Sequence, residues 1–496
     1  MKHTKKLASL LLALVMVFAL AATAFAAENA AISAPEGSTR TYDVYQIFTG
    51  DLHEGVLSNI KWGKNGTGTV GTAVDQTTLD ALAAVNGKSD TEELTEIQKY
   101  VKLDSGKFGT VSNGKPLTVP TGYYLIKDNG PVNDGEAYSL YVVQVVGPTT
   151  ISPKVGTTTS DKKVKDTNDS AANSTTDWQD SADYDIGDAV PFKLSATIAQ
   201  DYANYTHGYR LTFHDKEDAG LSFNKDSVKV YVDGTLITTG YEVVTEGLTD
   251  GYTFEVRFAN LKDIASVVAG SIISVEYTST LNNQAVIGST GNKNTSHVTY
   301  TNNPNDEQAG ENGKTPDDAV IVFTYKTIVN KVTKNPNYDP KVEGSKEYIP
   351  LKGAGFTLYK KNASGTYEAV GSELKGKDMT TFTWSGLDDG DYKLVETTTP
   401  SGYNTIPDIE FTISAGHVDG DSPYLNTLSG NVTSGTATFT ADVNDGSLST
   451  DVVNNSGIQL PSTGGIGTTI FYVLGSVLVI GAAVLLVTKK RMSTKG

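Results

Sequence analysis

Two β-rich stretches of this 496-residue chain share one layout of reactive side chains. A lysine sits near the start of the first strand, an acid lies in a middle strand and an asparagine in the last. In the later stretch these are Lys331 in Ile328–Val332, Glu396 in Tyr392–Thr397 and Asn454 in Val452–Asn455. An amine attacks an amide only when neutral, and burial in a dry core lowers a lysine's pKa. The same burial raises a carboxyl's pKa, so the acid keeps a proton that it can share or shuttle. Other constellations do not hold together. Gly66-x-Gly68-x-x-Gly71 has dinucleotide spacing but lacks the preceding strand and following helix. Gly371 to Lys377 follows a phosphate loop until Asp378 replaces the required Ser or Thr. The six histidines show no metal-binding spacing, and there is no Gly-x-Ser-x-Gly elbow. Asp388-Asp389-Gly390-Asp391 has calcium-type ligands but reads as a solvated turn. No cofactor and no metal is expected.

Strands must position the reactive residues, and the composition favours them. Glycine is abundant at 49 residues, and Tyr-, Val- and Thr-containing runs alternate with turn residues. The net charge of −17 argues against nucleic-acid binding, which needs a basic face. The absence of cysteine excludes disulfides, thiolate metal sites and a cysteine nucleophile. Residues 27–150 read as a domain of strands and a few helices. Strands are expected at Thr41–Phe48, Gly122–Lys127 and Ser139–Val146, and a helix from the Ser89–Glu92 capping box through Val101. A joint at 151–160 leads to a β domain at 161–318, where Val228–Val232 alternates and Asp233-Gly234 signals a type I′ hairpin. Asn302–Asp317 reads as a linker, and 319–459 as a further β domain. The expected fold class is mainly β: tandem Ig-like sandwiches with a C-terminal transmembrane helix.

The stretch around Lys331, Glu396 and Asn454 includes Pro350–Phe356 and Pro400-Ser401-Gly402-Tyr403, and it resembles the Cna B-type domain. The preceding stretch carries Asp161-Lys162-Lys163-Val164, Tyr184–Asp188, Phe213-His214-Asp215 and Asn294 through Pro304. It resembles the isopeptide-forming fimbrial domain of backbone pilins. The resemblance implies that lysine and asparagine side chains join in an amide inside each domain, promoted by the acid. The implied sets are Lys162, Asp215 and Asn294, and Lys331, Glu396 and Asn454. Lys162 shares a face with Val164 whereas Lys163 points away, so Lys162 is the expected nucleophile. By the same parity Asn292, Asn294 and Asn302 all remain open, with Asn294 favoured by its place before the Thr295–Tyr300 strand.

Both ends read as processing signals. Residues 1–26 have a basic start, an apolar run and a small-x-small cleavage site, as a secretory signal does. At the other end Leu460-Pro461-Ser462-Thr463-Gly464 (460–464) precedes an uncharged span at 466–488 and a basic tail at 489–496. That order resembles the cell-wall sorting signal of Gram-positive surface proteins, in which a sortase cuts after the threonine, here Thr463. In the joint, Ile151-Ser152-Pro153-Lys154 resembles the pilin motif that supplies the acceptor lysine, with Ser152 where the family has tyrosine. The resemblance implies the shaft subunit of a surface pilus, joined from Thr463 to Lys154 of an identical subunit. It is then a substrate of sortase and not a turnover enzyme. The implied partners are pilin-specific and housekeeping sortases, minor pilins, peptidoglycan and a host ligand. The rival reading is an adhesin fixed singly to the wall, or a minor pilin at the tip or base.

Overall fold

The computed structural model describes residues 29–53, 56–86, 88, 90–129, 138–151, 157–249, 251–304, 308–457 and 466–493. The 1–26 signal, Ser89, Lys154 and the 460–464 pentapeptide lie outside the described residues.

In the first region the long Thr41–His53 strand pairs with Val56–Trp62, Gly109–Ser112 and Gly122–Asp128, and the last of these pairs with Leu140–Val145. A second small sheet joins Asn29–Ser33 to Leu117–Pro120 and Thr149–Thr150. Tyr42, Val44, Tyr124 and Ile126 fill the core. Two helices, Gln76–Val85 and Asp90–Gln98, stand beside the sheet. The first is capped by Asp75, whose carboxylate accepts from Thr78 N at 2.9 Å. The second stops at Gln98, short of the expected Val101, because Val101 leaves the helix to bridge Gly66. The Gly66–Gly71 motif has a packing cause. A Cβ on Gly68 would sit 2.3 Å from the Trp62 indole nitrogen, so the ring excludes any side chain there.

The second region is a sandwich. One sheet runs Thr235–Ile237, Leu221–Val232, Ile272–Leu281, Ala189–Thr197, Thr159–Val164. The other runs Ser181–Asp183, Asp318–Phe323, Asn292–Thr301, Leu211–Glu217, Phe254–Phe258, Glu242–Val244. Aromatic and β-branched residues from both sheets close one core around Phe192, Phe213, Phe254 and Tyr277. Part of the expected linker is a strand, since Glu311–Lys314 pairs with Asn292–Thr301. The sheet also runs past residue 318. Val320 lies opposite Asn294 and Phe323 opposite Asp183, so the second sandwich extends to Phe323.

The third region begins at Tyr325. Its Tyr325–Lys334 strand lies parallel to the closing Ser447–Asn454 strand, with Lys331 opposite Val452 and Thr333 opposite Asn454. The facing sheet holds Gly355–Lys361, Gly390–Thr398, Ile409–Val418 and Tyr424–Ser434. Phe356, Tyr392 and Phe411 lie in the core between. The final helix, Ile466–Ser493, contains a 21-residue apolar span, Ile470–Lys490, with mean hydropathy 2.7. It is long enough to cross a bilayer.

The Asp233-Gly234 turn has φ of +48° and +79° and joins Val232 to Thr235, as a type I′ hairpin requires. Gly234→Ala places a Cβ in that left-handed position and is expected to cost about 1 kcal/mol. The second-domain midpoint in urea should fall accordingly, and an unchanged midpoint would contradict the turn assignment.

Candidate lysine–asparagine sites

Strand alternation places Lys162 in the core and Lys163 at the surface. Lys162 has no exposed area. Lys163 instead reaches Asp180 at 2.5 Å and Asp161 at 3.2 Å. Lys162 Nζ lies 2.5 Å from Asp215 Oδ2 and 3.0 Å from the Tyr277 hydroxyl. Tyr277 donates to the same Asp215 oxygen at 2.7 Å and accepts from Asn294 Nδ2 at 2.9 Å. Asn294 Oδ1 and Asp215 Oδ1 are buried and have no hydrogen-bond partner. Burial holds Lys162 below its usual pKa, although Asp215 opposes the shift. Burial likewise lifts Asp215 above the ordinary carboxylate range, against the pull of Lys162.

The geometry separates the three candidate asparagines. Asn292 is occupied as a structural residue, accepting from Val286 N and donating to Val286 O and Val322 O. Asn302 lies beyond the end of the Asn292–Thr301 strand. Asn294 shares the Tyr277 hydroxyl with Lys162. Its strand is not the domain's last, because Asp318–Phe323 follows and pairs beside it. Two further residues belong to this site. Glu217 lies 3.4 Å from Asn294 Nδ2 and is pushed up to about 8 by burial and then by Asp215. It shares strand parity with Asp215, a signal legible in the sequence. Tyr277 had no such signal, since a tyrosine in a buried strand is ordinarily core.

The third domain repeats the theme with different positions. Lys331 and Asn454 have no exposed area and Glu396 is 5% exposed. Lys331 Nζ donates to Asn454 Oδ1 and lies 3.1 Å from Glu396 Oε1. Asn454 Nδ2 donates to Glu396 Oε1 at 2.9 Å. The other Glu396 oxygen accepts from Ile406 N at 3.0 Å, which fixes the carboxyl. Burial lowers the Lys331 pKa, with Glu396 opposing. The amine therefore faces the amide carbonyl while the acid touches the nitrogen that would leave. This arrangement suits aminolysis of the asparagine amide with loss of ammonia. In the first domain the buried polar side chains include Arg40, Asp43 and Asp128 but no lysine among the described residues.

The sorting elements are visible only at their borders. Ile151 packs in the first core, and Thr158 bonds the Tyr209 hydroxyl at 2.7 Å, so described anchors flank the segment that holds Lys154. The apolar helix follows the pentapeptide.

Residues 340–422 match the SpaA prealbumin-like fold domain, and residues 452–493 match the LPXTG cell wall anchor motif. The fold and anchor together define a cell-wall-anchored surface protein built of β-sandwich domains. The trypsin-resistant surface T6 protein of Streptococcus pyogenes serotype M6 is 25% identical over 373 residues, covering 62% of this chain. The match spans 65% of that relative's own length, just under two thirds. The solved T6 backbone pilin of serotype M6 S. pyogenes, described as a modular three-domain structure, aligns with a TM-score of 0.51 at 18% identity. That alignment covers 87% of this chain and 98% of the pilin, a likeness of fold.

Removing either acid tests the clusters separately. Asp215→Ala and Glu396→Ala are each expected to have an intact mass one ammonia above the parent's mass corrected for the substitution. A difference from the parent equal to the substitution alone would mean that the acids promote no bond.

Proposed function

We propose that this chain is the shaft subunit of a covalent, sortase-polymerised surface pilus used in adhesion and colonisation. The observation that carries this reading is the pair of buried lysine–acid–asparagine clusters within three tandem β regions that end in an LPXTG anchor. In each cluster the neutral lysine Nζ attacks the asparagine Cγ, and the C–Nδ2 bond breaks. The acid relays a proton from the amine to the departing nitrogen, which leaves as ammonia. Each cluster acts once, on its own domain, so the chain is a substrate of sortase and not a turnover enzyme. A Lys331–Asn454 bond closes a loop of 123 residues. By analogy with a disulfide, such closure adds about 5 kcal/mol through the unfolded state.

Between subunits, Thr463 would be joined to Lys154 of a neighbour, and the terminal subunit to peptidoglycan. A loop between domains is where an enzyme most readily reaches an amine. A singly fixed adhesin would need the anchor but not Lys154, and that difference supplies the test. Lys154→Ala is expected to abolish the high-mass ladder of wall extracts while monomer remains anchored. A persisting ladder would sink the shaft assignment to this lysine. Peptide mass mapping of the parent polymer should find Thr463 bonded to Lys154.

A further inference from the structure

The Asp388–Asp391 turn is not solvated as its sequence suggests. Asp388 has no exposed area and lies where the third domain meets the second. Asp183 of the second domain faces it, with Asp166 beside Asp183. One carboxylate oxygen each from Asp183, Asp388 and Asp389 lie within 4.8 Å of one another. Asp166, Asp183 and His417 form a second such group, so Asp183 belongs to both. Asp183 is 2% exposed, and its Oδ2 has no hydrogen-bond partner.

The positive charge nearby is spent at one edge. Lys360 Nζ lies 2.5 Å from Asp185, 3.3 Å from Asp169 and 3.3 Å from Asp388. No lysine or arginine pairs with Asp166, Asp183 or Asp389 among the described residues. His417 Nε2 is 3.9 Å from Asp183 Oδ1 and 3.0 Å from the Tyr325 hydroxyl. Anions so placed need a counter-charge or must take up protons.

We propose that Asp183, Asp388 and Asp389, with Asp166 beside them, form a calcium site that clamps the second domain to the third. The donors are hard carboxylate oxygens contributed by both domains, which suits calcium over softer metals. Extracellular calcium modules bind at about 10⁻⁴–10⁻³ M, a range matched to an exported protein. The position has a mechanical consequence. Asp183 lies opposite Phe323, the last residue of the strand that connects the two domains. That strand follows Asn294 and precedes Lys331, so neither lysine–asparagine pair encloses it. A cation there would hold the stretch between the second and third domains that the two pairs leave to hydrogen bonds.

The full chain, purified in detergent and stripped with EDTA, tests this by calorimetry and by terbium luminescence. Tyr325, whose hydroxyl bonds His417 beside Asp183, is a built-in sensitiser. Calcium is expected to bind one to one at this site and to raise the unfolding temperature. Asp183→Asn should raise the metal-free unfolding temperature, by relieving repulsion, and weaken calcium binding at least tenfold. Asp389→Asn gives the same readout through a less buried carboxylate where the first variant fails to fold. Asp378→Asn, at an exposed acid elsewhere, should leave the response intact. An unchanged calcium response in Asp183→Asn and Asp389→Asn would overturn the site. So would stabilisation of the stripped chain by acid alone with no response to calcium, since protons would then neutralise the cluster.

Discussion

The second and third domains both depend on keeping an amine dry. Lys162 and Lys331 each have no exposed area. An isolated buried ammonium costs several kcal/mol even after relaxation, so the fold must either pair it or leave it neutral. Both domains do this with the same materials. Aromatic rings line the amine, with Phe192 and Tyr277 each 5.6 Å from Lys162 Nζ and Phe356 5.2 Å from Lys331 Nζ. One carboxyl closes the contact in each case. The strands that carry these groups come from both sheets of the sandwich, so the reactive set exists only once the two sheets have packed. The proposed bond formation would therefore await completed folding, since an unfolded chain presents an ordinary solvated lysine.

Period-two alternation made much of this legible in the sequence. It separated Lys162 from Lys163, and the structure puts the first in the core and the second on surface acids. The same rule applied to acids would have paired Glu217 with Asp215. It could not rank Asn292, Asn294 and Asn302, because parity constrains the face and says nothing of which neighbour crosses from the opposite sheet. Tyr277 was hidden for the same reason, since its role comes from a hydroxyl brought beside two residues far away in sequence. The second domain's edge was also misplaced. Asp318–Phe323 reads as the start of a new β stretch, and only its register with Asn292–Ser296 shows that it closes the older one. The acidic turn at Asp388 failed on burial, which a four-residue motif cannot report.

That misplaced strand changes how load would pass along the molecule. In the third domain the entering and closing strands are parallel neighbours, and Lys331 and Asn454 sit on that pair. A bond there would carry tension across the domain without shearing the ladder. In the second domain the chain continues past Asn294 through Glu311–Lys314 and then Asp318–Phe323, the strand that leads into the third. Tension would load that strand between Asn292–Ser296 on one side and Ser181–Asp183 on the other. A side-chain tie also reaches it, since Asp318 Oδ2 accepts from Lys162 N at 2.7 Å. Tyr184 N donates to Phe323 O at 3.1 Å, and Ile186 N to Gly386 O at 3.0 Å, so the Tyr184–Asp188 segment is itself part of the joint. The residues that resemble a family signature in this segment thus join the two domains and stand apart from the reactive lysine. With no cysteine available to staple this strand, the remaining means of strengthening it are hydrogen bonds, the Lys360 ion pairs and a shared cation between the facing carboxylates.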